Sequence, residues 1–186
     1  MLEIRWHGRG GQGAVTASKV LAATALRDGK YFQAFPEYGP ERRGAPVQAF
    51  TRISDTPIKL YSHVTDPKIV IILDNSLIGK VPLTDGLPED GIVLANYEGS
   101  PAELRAKLGL KGRKVYTVNA TGVAMRTLGR PITNTPMLGA LVKITGVVPL
   151  DQLEAEVAAM FGKMKGDVAE RNLAAVRAAY EEVVSE

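Results

Sequence analysis

Gly8-Arg9-Gly10-Gly11-Gln12-Gly13 has the spacing Gly-x-Gly-x-x-Gly and lies between an apolar strand pattern and an alanine-rich helix pattern. Glycines at such a junction let the chain turn tightly. They aim backbone N–H groups and the positive end of a helix at one point, which favours an anion, usually a phosphate. Turns of this kind also close strand–helix junctions that hold nothing, so the spacing alone leaves a nucleotide site and a bare turn both open. The second group is Glu41-Arg42-Arg43-Gly44, framed by Pro40 and Pro46. The prolines limit the loop's conformations, and an arginine fork grips a phosphate or carboxylate bidentately. Glu41 is suited to orient an arginine or to bridge to another chain; a solvated charged loop is the plainer alternative. The candidate binding residues are therefore Gly8, Gly10, Gly11, Gln12, Gly13, Glu41, Arg42 and Arg43. No residue is assigned a catalytic or metal-binding role.

Other reactive side chains have little context. His7 directly precedes the glycine turn, where it could titrate or contact a ligand phosphate, although a histidine there more often satisfies nearby backbone. His63 has no recognisable setting. Asp74 follows an apolar strand pattern, a position that α/β enzymes use for functional groups, and it is equally suited to cap a helix begun by Asn75-Ser76. Neither Gly-x-Ser-x-Gly nor Gly-x-x-x-x-Gly-Lys-Ser/Thr occurs. The chain offers a binding apparatus without a catalytic one, which points to a subunit whose chemistry lies elsewhere.

The elements that must position these residues alternate between strand and helix. Leu2–Trp6 reads as a strand and Ala14 to about Asp28 as a helix. Tyr31–Phe35 reads as a second strand, and the proline-rich stretch 36–46 as a loop. Val47–Ile53 alternates as a strand, with Ile58–Tyr61 as its hairpin partner. Ile69–Leu73 is continuously apolar, as in a strand covered on both faces. Ile92–Ala95 and Val115–Val118 are further strands, with a helix over Pro101–Leu108 between them. Asn134 or Thr135 is suited to cap a helix running through Ile144. A helix begins at Asp151, and the last spans Asp167–Val183 with Leu173, Val176, Tyr180 and Val183 on one stripe. The expected architecture is a single domain over residues 1–186: a three-layer α/β/α, Rossmann-like fold with a mixed sheet and a helical C-terminal part.

Composition narrows the partners. The 186 residues suffice for one substantial core, and no cysteine is present, so this chain can ligate no cluster through thiolates. The net charge of +3 is uneven: residues 1–60 carry a net +4 and the rest a net −1. That bias suits a phosphate-bearing ligand or an acidic partner surface. It is too small to argue for nucleic acid, and no basic stripe interleaved with aromatics is present. The longest aliphatic run, Ile69–Leu73, is far too short for a bilayer, and the N-terminus has no signal-peptide pattern, so a cytoplasmic location is expected.

Longer stretches carry a resemblance. The run Arg5–Ala17, followed by Gly29-Lys30-Tyr31 and Gln33-Ala34-Phe35-Pro36, resembles the gamma subunit of 2-oxoacid:ferredoxin oxidoreductases. So does Glu41-Arg42-Arg43-Gly44-Ala45-Pro46-Val47, continued by Arg52-Ile53-Ser54-Asp55 and Pro57-Ile58. Asn134-Thr135-Pro136-Met137-Leu138-Gly139-Ala140 is similar to that family's Asn-x-x-Met-Leu-Gly helix start, and Lys163 and Asn172 fall where its terminal helices carry such residues. The resemblance implies an enzyme that oxidatively decarboxylates a 2-oxoacid on thiamine diphosphate with Mg2+. Electrons pass through [4Fe–4S] clusters to ferredoxin, and an acyl-coenzyme A is released; pyruvate synthase runs the reverse reaction. It further implies alpha, beta and delta partner subunits that hold those cofactors. The Arg-Gly-Ala-Pro-Val block looks more like the pyruvate and 2-oxoisovalerate members than the 2-oxoglutarate ones. On this reading the glycine turn and the arginine loop lie at a subunit interface near the coenzyme A entrance.

Two other readings compete. An NAD(P)-binding Rossmann-type oxidoreductase shares the glycine turn, with Glu37 near the second strand's end as its ribose-binding acid. A purely structural assembly subunit would leave the turn empty.

Overall fold

The computed structural model describes residues 1–37 and 44–186. Among these, seven strands form one mixed sheet: β1 (Leu2–Arg9), β2 (Tyr31–Glu37), β3 (Pro46–Ser54), β4 (Ile69–Ile72), β5 (Ile92–Asn96), β6 (Lys114–Val118) and β7 (Val184–Ser185). Their order is β2-β3-β1-β4-β5-β6-β7. Strands β1, β4, β5 and β6 run parallel; β3 is antiparallel to both β1 and β2, and β7 to β6. Six helices accompany the sheet: α1 (Ala14–Arg27), α2 (Pro101–Leu108), α3 (Ala120–Leu128), α4 (Asn134–Thr145), α5 (Leu150–Phe161) and α6 (Val168–Glu182). This is the α/β fold with a mixed sheet and helical C-terminal part that the sequence predicts.

Alternation along β1 assigns its side chains to two different environments. Ile4 and Trp6 enter the larger core with residues of α1, α3, α4, α5 and α6. The Trp6 indole donates to Thr51 Oγ1 at 3.0 Å, so its buried N–H is satisfied. The opposite face is covered by α2 and by irregular chain around Leu77, Leu83 and Leu87, which form a second core on Val70, Ile72 and Val93. Burying that face satisfies two arginines. Arg5 donates to His7 Nε2 and to the Leu83 carbonyl, each at 3.1 Å. Arg52, 1% exposed, donates to Glu3 at 2.7 Å, to Gln33 and to the Ser62 carbonyl at 2.8 Å. An ion this deeply buried is tolerated only because nearly all its donors are used.

Several boundaries differ from those expected. Strand β1 continues through His7, Gly8 and Arg9, because β3 pairs with it as far as Arg9↔Pro46. Pro36 and Glu37 belong to β2 and Pro46 to β3, not to a loop. Proline is admissible in β2 because β2 is an edge strand. Ile58–Tyr61 forms no strand: β3 already has β1 and β2 on its two sides, so no edge remains for a third partner. The segment is instead fastened across the sheet, with Gln33 Nε2 donating to the Leu60 carbonyl. The sequence pattern also misses α3 and β7. Neither Asn134 nor Thr135 caps α4. Thr133 holds the N-cap position without a side-chain bond, and Asn134 Oδ1 accepts from the Thr135 N–H at 2.9 Å inside the first turn. Leu150, not Asp151, begins α5, and Asp167 flanks α6.

Glycine sets one helix–helix distance. A Cβ on Gly139 would lie 2.1 Å from the Val176 carbonyl oxygen, so only glycine lets α4 approach α6 this closely. Among the described residues, no helix is long and apolar enough to cross a membrane.

Candidate functional site

Helix α1 leaves β1 toward one face of the sheet, and the chain after β4 leaves toward the other. Diverging connections open a crevice at the carboxyl ends of adjacent parallel strands, the usual ligand position in such sheets. The glycine turn lies there. Gly11 and Gly13 adopt φ of 93° and 84°, the left-handed region open to glycine. Gly10 N–H donates to the Ala45 carbonyl at 2.8 Å and Gly44 N–H to the Gly10 carbonyl at 3.1 Å. These bonds tie Gly44 and Ala45, which follow Glu41, Arg42 and Arg43 in sequence, to the glycine turn. Those three side chains lie outside the described residues.

Gly13 is the N-cap of α1 and contributes no side-chain bond. The first intrahelical bond runs from Ala17 N–H to Gly13 C=O at 2.8 Å, so the N–H groups of Ala14, Val15 and Thr16 precede the ladder. They border a cleft of about 300 Å³ beside Gly10, Gly11 and Val47. Uncapped N–H groups together with the helix dipole make this cleft electropositive.

Gln12 closes the other side. Its Oε1 accepts from Arg9 N–H and its Nε2 donates to Asp74 Oδ2, both at 2.6 Å. The Arg9 guanidinium lies 3.3 Å from that carboxylate, donates to Ser76 Oγ at 2.9–3.0 Å and reaches the Gly44 carbonyl at 3.0 Å. Asp74 also accepts from Ser76 N–H at 2.8 Å, which caps the short turn Asn75–Leu77. Partial burial tends to raise the Asp74 pKa, but the hydrogen bonds from Gln12 and Ser76 and the Arg9 charge outweigh it, and the carboxyl stays below its ordinary value. Beyond Gln12 lies a second cavity of about 220 Å³. Asn96 lines it, donating to the Leu73 carbonyl and to Thr121 Oγ1 at 2.9 Å and accepting from Thr121 N–H at 3.1 Å.

The remaining candidates sort themselves by position. Gly8 lies within β1 and not in the turn; a Cβ there would sit 3.4 Å from Gln12 Oε1. His7 is buried, and desolvation, with Arg5 beside it, lowers its pKa to about 3. Its Nε2 accepts from Arg5, so the proton resides on Nδ1 and the ring is a neutral packing group. Glu37 ends β2, but β3 separates β2 from β1. A ribose-binding acid belongs on the strand beside the glycine turn, so Glu37 is displaced by one strand spacing, about 4.8 Å. Among the described residues, no three His, Cys, Asp or Glu side chains gather as a metal site. Arg9 and Asn96 escaped the sequence reading as site residues. Asn96 ends an apolar strand just as Asp74 follows one, and that position was the available signal.

This geometry can hold an anion and brace a loop. Comparison with known proteins agrees on where the chain belongs. The pyruvate ferredoxin/flavodoxin oxidoreductase family matches residues 3–182. The chain is 50% identical over 181 residues to the pyruvate/ketoisovalerate oxidoreductases common subunit gamma of Pyrococcus abyssi, covering 97% of this chain and 96% of that one. It is 50% identical over 182 residues to the pyruvate synthase subunit PorC of Thermotoga maritima, covering 97% and 94%. The crystal structure of the pyruvate oxidoreductase subunit PORC from Thermotoga maritima superposes with a TM-score of 0.89 at 46% identity, covering 100% of this chain and 98% of that one. By sequence over nearly its whole length and by fold, the chain belongs to the pyruvate ferredoxin/flavodoxin oxidoreductase family.

Proposed function

We propose that this chain, acting as one domain over residues 1–186, is the gamma subunit of a cytoplasmic 2-oxoacid:ferredoxin oxidoreductase. The complex oxidatively decarboxylates pyruvate or a related 2-oxoacid, forms an acyl-coenzyme A and delivers electrons to ferredoxin. The observation that carries this reading is the end-to-end match to gamma and PorC chains at about half identity. The [4Fe–4S] clusters do not fit the residues present, and thiamine diphosphate with Mg2+ finds no metal site among the described ones. There is no cysteine to ligate iron, and the described residues gather no acidic group for a metal. They are assigned to alpha, beta and delta partner subunits.

The chain's own work is to bind and orient. The glycine turn (Gly10, Gly11, Gln12, Gly13) leads into the free N–H groups of Ala14, Val15 and Thr16, which supply donors, and Glu41, Arg42 and Arg43, joined to the turn in sequence through Gly44 and Ala45, supply charge. Together they hold the phosphates of coenzyme A at the contact with a neighbouring subunit. Arg9, Gln12 and Asp74 fix the turn from behind, so the donors are aimed before the ligand arrives.

The test is co-production with a thiamine-binding subunit and a cysteine-rich, ferredoxin-like subunit from the same source. Co-purification and ferredoxin reduction that requires pyruvate and coenzyme A are expected, and this chain alone is expected to be inactive. Arg42→Ala with Arg43→Ala raises the KM for coenzyme A if the loop binds it. Assembly that fails with unchanged coenzyme A kinetics makes the loop an interface element only. Pyruvate turnover by this chain alone would falsify the reading.

A further inference from the structure

A cavity of about 270 Å³ lies on the helical side of the sheet, apart from the crevice. Its walls include Leu128, Ile132, Phe161, Met164 and Val168. The first turns of three helices border it, at Thr16 of α1, Asn134 of α4 and Val168 of α6, with Asn172 one turn further along α6. None of the three has a side-chain cap. Their N–H groups and dipoles therefore converge on one apolar space, where field is screened least.

Asn134 adds an independent sign. It is 8% exposed, and its Oδ1 is taken by Thr135. Its Nδ2 has no partner among the described residues and packs beside Gly13, whose Cβ would come within 2.6 Å of it. This donor remains free to meet an acceptor that a ligand supplies. At the mouth stand Arg130, which pairs with no carboxylate among the described residues, and Arg171, bound to Asp167 at 2.8 Å. Asp167 is thereby occupied, and the balance at the opening is cationic.

We propose that this cavity binds a small organic carboxylate with a compact apolar body, its headgroup on Asn134 Nδ2 and the helix ends and its tail among Ile132, Phe161 and Met164. The volume admits roughly nine or ten non-hydrogen atoms, taking about 30 Å³ each. That is the size of an eight-carbon acid. The site shares Thr16 and the start of α1 with the cleft beside Gly10 and Gly11, but it does not use Arg42 or Arg43, and octanoate rather than coenzyme A reads it.

The full chain is titrated with octanoate and with 1-octanol, followed by calorimetry and amide NMR. Saturable one-to-one octanoate binding is expected, with amide shifts at Thr16, Asn134 and Val168. The alcohol, of equal length without the charge, should bind at least about tenfold more weakly, as for loss of one charged hydrogen bond. Asn134→Asp keeps the acceptor used by Thr135 and puts a carboxylate where the free amide was; it should abolish octanoate binding at unchanged circular dichroism. Ile132→Trp fills the space and serves as a second variant with the same expected loss. Absence of saturable octanoate binding overturns the proposal. So does equal binding of 1-octanol, or octanoate affinity that both folded variants retain.

Discussion

Gly13→Ala isolates how closely the glycine turn is packed against α4, because Gly11 serves as its internal control. Both glycines have positive φ, 84° at Gly13 and 93° at Gly11. An L-residue there costs about 1–2 kcal/mol. At Gly11 that is the whole cost, since an added Cβ meets nothing within 4 Å. At Gly13 the Cβ would lie 2.6, 3.0 and 3.2 Å from Asn134 Nδ2, Cγ and Cβ. Overpacking of that kind adds about 1–3 kcal/mol. Gly11→Ala should thus cost about 1–2 kcal/mol and Gly13→Ala about 2–5 kcal/mol. For a chain of this size each kcal/mol lowers the Tm by about 2–4 °C. Urea unfolding followed by circular dichroism measures both at equilibrium. Trimming Asn134→Ala in the Gly13→Ala background removes Cγ and Nδ2, so the pair should be non-additive by about 1 kcal/mol or more in the restoring direction. Equal costs at the two glycines, or strict additivity of the pair, would refute the contact between turn and helix.

Two further outcomes follow from buried ions and rings. The His7 pKa lies near 3 in the folded chain against 6.5 for the free side chain. The unfolded state then binds more protons between those values, so stability falls as the pH drops through that window. His7→Phe should flatten that part of the pH–stability curve, and 15N NMR should show a neutral ring protonated at Nδ1 at pH 5; an imidazolium signal there contradicts the burial argument. Arg52→Leu leaves Glu3 without its partner and frees the Ser62 carbonyl, at an expected cost of about 3–5 kcal/mol by urea unfolding. A loss below about 1 kcal/mol would mean the pair contributes as little as a surface one.

Much of the architecture could be read from residue patterns, and the misses share a cause. Pro101–Leu108 is marked at both ends, with a Ser100–Glu103 capping box and Gly109 in the left-handed region, and its boundaries match the expected ones. The apolar run Ile69–Leu73 is a buried central strand as anticipated, ending one residue early. Ile58–Tyr61 also alternates, yet it is no strand, since strand formation depends on an available neighbour and β3 had none. Gly8 fits the spacing but not the turn, because pairing with Val47 extends β1 past it. In the site, glycine spacing announced the turn and the position after an apolar strand announced Asp74. The bridging by Gln12 and the approach of Asn134 to Gly13 join residues 62 and 121 positions apart, which no local pattern encodes.

The sheet's two borders bear on how copies of this chain meet one another. One border is β7, two residues long; the other is β2, seven residues long and carrying Pro36. A border offers unpaired amides as a template for another chain, and it fails as one when it is short or lacks an N–H. The β7 border is too short to template a ladder, and Pro36 interrupts the β2 border near its end. Sheet-to-sheet clumping of copies of this chain is accordingly disfavoured at both borders.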